Sequence, residues 1–127
     1  IQFAPENWFM VDRESAYFDL PSSYFIQAME EGDIVLIDED LILEWSKQDV
    51  SLLEFNNRLL HNHIRHLQHR ITGLLSATAE ERYLDFIEKY PDLMLRVSQA
   101  LIASYLGIAP ESLSRVRKDL ALKNQRK

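Results

Sequence analysis

Ser98-Gln99-Ala100-Leu101-Ile102-Ala103-Ser104-Tyr105-Leu106-Gly107-Ile108-Ala109-Pro110-Glu111-Ser112-Leu113-Ser114-Arg115-Val116 reads as two short helices joined by a tight turn. Ser98 has the side chain of a helix N-cap. Ile102 and Leu106 give the first helix an apolar face, and Ala103 is small where a second helix must cross closely. Gly107 stops that helix in a turn conformation that a Cβ would oppose. Ile108 anchors the turn, and Pro110 suits the first position of the second helix. Leu113 and Val116 then supply that helix's inner face. Seven positions agree at fixed spacing, from Ile102 to Val116, which is the pattern of a helix-turn-helix. A generic helical hairpin is the alternative.

The other face of the second helix carries the chemistry. Glu111, Ser114 and Arg115 stand at i, i+3 and i+4, so they project together. They occupy the first two turns, the part of a recognition helix that reaches base edges. An Arg fork donates twice to guanine, a Glu accepts from cytosine, and a Ser bonds either kind of group. The alternative is a surface ion pair between Glu111 and Arg115, worth a few tenths of a kcal/mol. Ser98, Gln99 and Ser112 are placed to meet phosphates beside the helix starts. Arg117 and Lys118 add sequence-independent attraction. The charge balance agrees with an anionic partner at this end. Residues 98–127 hold six bases and two acids, net +4, whereas residues 1–97 hold eight bases and eighteen acids, net −10. A solvated basic tail would give the same balance.

Upstream, residues 49–76 read as one long helix, with Ser51-x-x-Glu54 in the form of a capping box. Leu53, Asn57, Leu60, Ile64, Leu67, Ile71 and Leu74 alternate at steps of four and three, an a/d heptad stripe. β-branched residues at a, Leu at d and one polar a residue favour a parallel two-stranded coiled coil. The alternative is a single amphipathic helix packed on its own domain. Residues 1–37 read as strands. Ser23–Met29 is rich in β-formers, Glu31-Gly32-Asp33 supplies a turn, and Ile34–Ile37 is a short apolar run. Asp38 caps a short helix bearing Leu41, Ile42 and Trp45. Thr78-x-x-Glu81 is a second capping box, followed by an apolar face of Tyr83, Phe86, Ile87 and Tyr90, a stop at Pro91, and a short piece around Leu93–Leu95.

The stretch Ile102–Arg115, with Ala79–Tyr83 and the long helix before it, resembles the Crp–Fnr transcription regulators. Glu111-x-x-Ser114-Arg115 is similar to the Fnr-type reading triplet. The resemblance implies an α+β chain in three parts: residues 1–48 as the second half of a cyclic-nucleotide-binding-like β-roll, 49–76 as the dimerisation helix, and 77–127 as a winged helix-turn-helix. It implies a homodimer on a palindromic operator, with Arg115 reading a guanine in a half-site similar to TTGA. It also implies RNA polymerase as a further partner. The opening Ile1-Gln2-Phe3 reads as the inside of a strand without an initiator Met, so a fragment or processed chain is expected. Trp8–Ala28 has no Gly and only Arg13 to hold a phosphate, so cyclic AMP is not expected and no effector is identified. Trp8, Phe9, Tyr17, Phe18 and Phe25 are expected in the β-roll core.

Other classes find little support. An apolar fraction of 46% and a charged fraction of 27% over 127 residues are those of a globular domain, with no run long enough to span a membrane. With no Cys there is no disulfide and no thiolate chemistry, and a cytoplasmic setting fits. His61, His63, His66 and His69 flank the heptad stripe without a completing carboxylate, so no metal site is expected. The clusters Glu30-Glu31-Asp33 and Asp38-Glu39-Asp40 fall at a turn and a helix start, where acids suit solvent and helix dipole. No nucleophile elbow, phosphate loop or zinc-protease signature occurs, so the expected mechanism is binding and not catalysis. A coiled-coil protein–protein module without DNA reading is the rival function.

Overall fold

The computed structural model describes residues 2–125. Among these residues its elements are seven helices: α1 (Arg13–Phe18), α2 (Glu39–Gln48), α3 (Val50–Ser76), α4 (Ala79–Lys89), α5 (Leu93–Arg96), α6 (Gln99–Leu106) and α7 (Pro110–Asn124). They fall into two compact units that divide inside α3, one covering Phe3–Ile64 and the other running on from Arg65.

The first unit corrects the α+β expectation. No strand occurs among the described residues, so residues 1–48 do not form half a β-roll. Ser23–Met29 and Ile34–Ile37 lie outside any helix or strand. Phe25 is 101% exposed and Leu36 89%. The physical reason is that β-forming side chains describe a fit to a half-buried pleated surface, while a strand exists only when a neighbour takes its amides and carbonyls. No neighbouring stretch here does so. The aromatic residues expected in a β-roll core (Trp8, Phe9, Tyr17, Phe18 and Phe25) are all exposed, and among the described residues of this unit only Phe3 is buried. Part of the expected strand region is helix instead. Asp12 caps α1 by accepting from the Ser15 amide at 3.4 Å, and it also accepts from the Ser22 hydroxyl at 2.7 Å. Asp38 caps α2 as expected, accepting from the Asp40 amide at 2.9 Å. Arg13 and Glu39 form an ion pair at 3.5 Å.

α3 runs unbroken over the length the heptad pattern requires. Its start differs in detail. Asp49, not Ser51, is the capping acceptor, taking the Ser51 amide at 2.9 Å and the Ser51 hydroxyl at 2.7 Å. The carboxylate wins over the hydroxyl because a charged acceptor makes the stronger bond.

The second unit holds the better core. Tyr83, Phe86, Tyr90, Leu93, Ile102, Ala103, Tyr105, Leu106 and Leu113 are buried together. α4, α6 and α7 pack against one another in all three pairings. Phe86, Tyr90 and Tyr105 form a ring cluster with centroids 5.3–5.7 Å apart. Burial raises the Tyr90 phenol pKa, and the neighbouring Tyr105 raises it further. The second capping box is present: Thr78 Oγ1 accepts from the Glu81 amide at 3.2 Å, and the Thr78 amide donates to the Glu81 carboxylate at 2.8 Å. The expected wing is absent among the described residues. Only Val97 separates α5 from the Ser98 cap, which leaves no chain for a hairpin between these two helices.

Candidate nucleic-acid interface

α6, the turn and α7 follow the helix-turn-helix spacing residue by residue. Ser98 caps α6, its hydroxyl accepting from the Leu101 amide at 3.3 Å. Gly107 closes α6 in the left-handed region with φ 66°. The Ile108 amide donates to the Ala103 carbonyl at 3.0 Å and the Gly107 amide to Ser104 at 3.2 Å, the two bonds of a Schellman closure. Ala109 then stands at the N-cap of α7 without a side-chain bond, and Pro110 begins the helix. The first turn closes through the Ala109 carbonyl, which accepts from the Ser112 and Leu113 amides.

This geometry divides α7 into two faces. Leu113 is 0% exposed and Val116 is half-buried, so the inner face is the one the spacing predicted. Glu111, Ser114 and Arg115 are exposed on the other side. None of the three makes a side-chain hydrogen bond or ion pair to another described residue. Their polar groups are therefore available to a ligand, and the surface ion pair between Glu111 and Arg115 is not formed. Arg117 and Lys118 are exposed one turn further on. Gln99 is exposed and Ser112 half-buried at the starts of the two helices. Ser98 is exposed too, but its hydroxyl already serves the α6 cap, which limits what it can give a phosphate.

The heptad stripe is also open. Leu53, Asn57, Ile64, Leu67, Ile71 and Leu74 are exposed and Leu60 is half-buried. α3 carries no buried residue at all.

Four sets of contacts that sequence reasoning missed tie the second unit's part of α3 to the helices around it. Arg70 Nη2 donates to the Tyr105 carbonyl at 2.9 Å, with the guanidinium carbon 4.0 Å from the Tyr105 ring centroid. Arg82 Nη1 donates to the carbonyls of Gly73, Leu74 and Ala77 at 3.0–3.4 Å, closing the C-terminal end of α3. His69 Nε2 meets Asp85 at 3.1 Å, and Lys89 Nζ lies 2.9 Å from His66 Nε2. Burial lowers the Lys89 pKa, Asp85 opposes that shift, and Arg70 adds to it. Two of the four histidines that flank the heptad stripe thus meet α4 side chains. No group of three or more metal-ligating side chains occurs among the described residues. Nor is any described helix long and apolar enough to cross a membrane.

Compared with known protein families, curated proteins and solved structures, the chain matches none.

Proposed function

We propose that this chain is a sequence-specific DNA-binding transcription regulator, acting as a homodimer on a palindromic operator in the manner of the Crp–Fnr regulators its reading motif resembles. The observation that carries the reading is the division of α7. Leu113 is fully buried, while Glu111, Ser114 and Arg115 point outward and are unengaged. An acid, a hydroxyl and a guanidinium on two adjacent turns make the donor and acceptor set that reads base edges in a major groove. Arg115 reads a guanine, with Glu111 accepting from a neighbouring cytosine or steadying the Arg fork. Ser112, Gln99, Arg117 and Lys118 hold the backbone and set register without reading sequence. The open stripe from Leu53 to Leu74 supports pairing of two copies through α3. Two recognition helices then enter successive major grooves about 34 Å apart. RNA polymerase is the further partner that a regulator of this kind addresses.

Selection of bound duplexes from a random pool tests the reading. Inverted repeats with a guanine common to both half-sites are the expected outcome. Retention of the pool without enrichment, falling uniformly with salt, would show that only non-specific electrostatics operate and would exclude base reading.

A further inference from the structure

The Tyr105 carbonyl lies in the last turn of α6, among the acceptors that a helix end leaves without a helical donor. The Schellman closure serves Ala103 and Ser104. Arg70 serves Tyr105, at 2.9 Å. The same guanidinium packs over the Tyr105 ring, and that ring is itself held between Phe86 and Tyr90. Arg70 therefore grips α6 at two points, a backbone oxygen and an immobilised ring face. A planar guanidinium can do both at once, and a cation near a helix C-terminus gains further from the helix dipole. The turn that follows leads within three residues to Pro110, where the reading helix begins.

At its other end Arg70 belongs to α3, one residue before Ile71, which is 56% exposed on the heptad stripe. Leu67 and Leu74 lie on the same stripe and in the same compact unit. We propose that Arg70 is a positioning residue for DNA reading: by fixing α6 against α3, it sets where each copy of the dimer presents Glu111, Ser114 and Arg115 along the duplex. This rests on the homodimeric DNA-binding reading and deepens it. Arg70 touches no base. It acts through Tyr105, and what it controls is separation and angle. In a two-fold dimer a small tilt of each hairpin against α3 alters the distance between the two reading helices, which must match the duplex repeat.

The test uses the full chain and the duplex recovered by selection. Two altered duplexes accompany it, one with the half-sites moved apart by two base pairs and one with the guanine under Arg115 replaced. Wild type is expected to discriminate against both. Arg70→Lys and Arg70→Ala are expected to lose about tenfold of the spacing discrimination, while the preference for the guanine stays at its wild-type ratio. A melting curve accompanies each variant, and should Arg70→Ala fail to fold, Arg70→Lys decides, because it keeps the charge and loses the planar fork. Unchanged spacing discrimination in the folded variant overturns the assignment. So does an equal loss of spacing and base discrimination, which is what general loosening of the fold produces. Wild type indifferent to both duplex changes removes the DNA-reading proposal itself. Wild type that reads the guanine but ignores spacing removes only the role given to Arg70.

Discussion

Leu74 stands over Gly107 so closely that a Cβ added to the glycine would meet Leu74 Cδ2 at 3.0 Å. The same glycine has φ 66°, a conformation that L side chains adopt at a cost. Backbone strain and a crowded neighbour thus act at one position, between the end of α3 and the turn before α7. Gly107→Ala is expected to destabilise the chain by about 1–3 kcal/mol, read as a fall in the midpoint of urea unfolding. Leu74→Ala in the same chain clears the contact and leaves the backbone term, so the double variant should lose less than the two singles added. Simple additivity would show that Leu74 yields at no cost.

Much of the second unit was legible because its signals are local. Ser98, Thr78 and Gly107 each act within four residues of themselves, and each does what its side chain, or lack of one, dictates. The two faces of α7 followed from the spacing of Leu113 and Val116 against Glu111, Ser114 and Arg115. The first unit was misread because strand formation is not local. Tyr24, Phe25, Ile26 and Ile34–Ile37 have the right side chains, but the pairing that makes a strand is a property of a neighbour. The grip of Arg70 on Tyr105 was illegible for a similar reason. A single Arg beside a heptad stripe carries no address for a ring 35 positions further on.

Arg115→Ala and Lys118→Ala should separate base reading from attraction to phosphate. The first is expected to cost about 1–3 kcal/mol on the selected duplex and to flatten preference at one base pair. The second is expected to weaken all duplexes alike and to reduce the slope of affinity against salt by about one unit. Gel shifts on matched and singly mismatched duplexes over a salt series give both quantities. If the Arg115 variant keeps its preference at every position, another side chain reads the base.

Ile64 is half exposed at an a position of the stripe, so a charge there should disturb pairing of two copies and little else. Light scattering on the wild-type chain is expected to give about twice its 14.9 kDa mass. Ile64→Lys should bring that down to a single copy with an unchanged helical circular dichroism spectrum. A single-copy mass for wild type at high concentration would rule out pairing through α3.

The capping box at the start of α4 predicts a pH dependence with a definite sign. Hydrogen bonds from the Thr78 amide and then its hydroxyl hold the Glu81 carboxyl below its ordinary range in the folded chain. A carboxyl whose folded pKa is depressed contributes stability that is present above its unfolded pKa. That contribution disappears as pH falls through the lowered folded value. Thr78→Val removes the hydroxyl and keeps the amide. The variant should therefore be less stable than wild type at pH 7, and the difference should shrink as the solution is acidified through the carboxylate range. Urea midpoints for the two proteins between pH 7 and pH 3 measure it. A difference that stays constant across that range would mean that the Thr78 hydroxyl acts only by accepting from the Glu81 amide, and that its bond to the Glu81 carboxylate contributes nothing to holding α4.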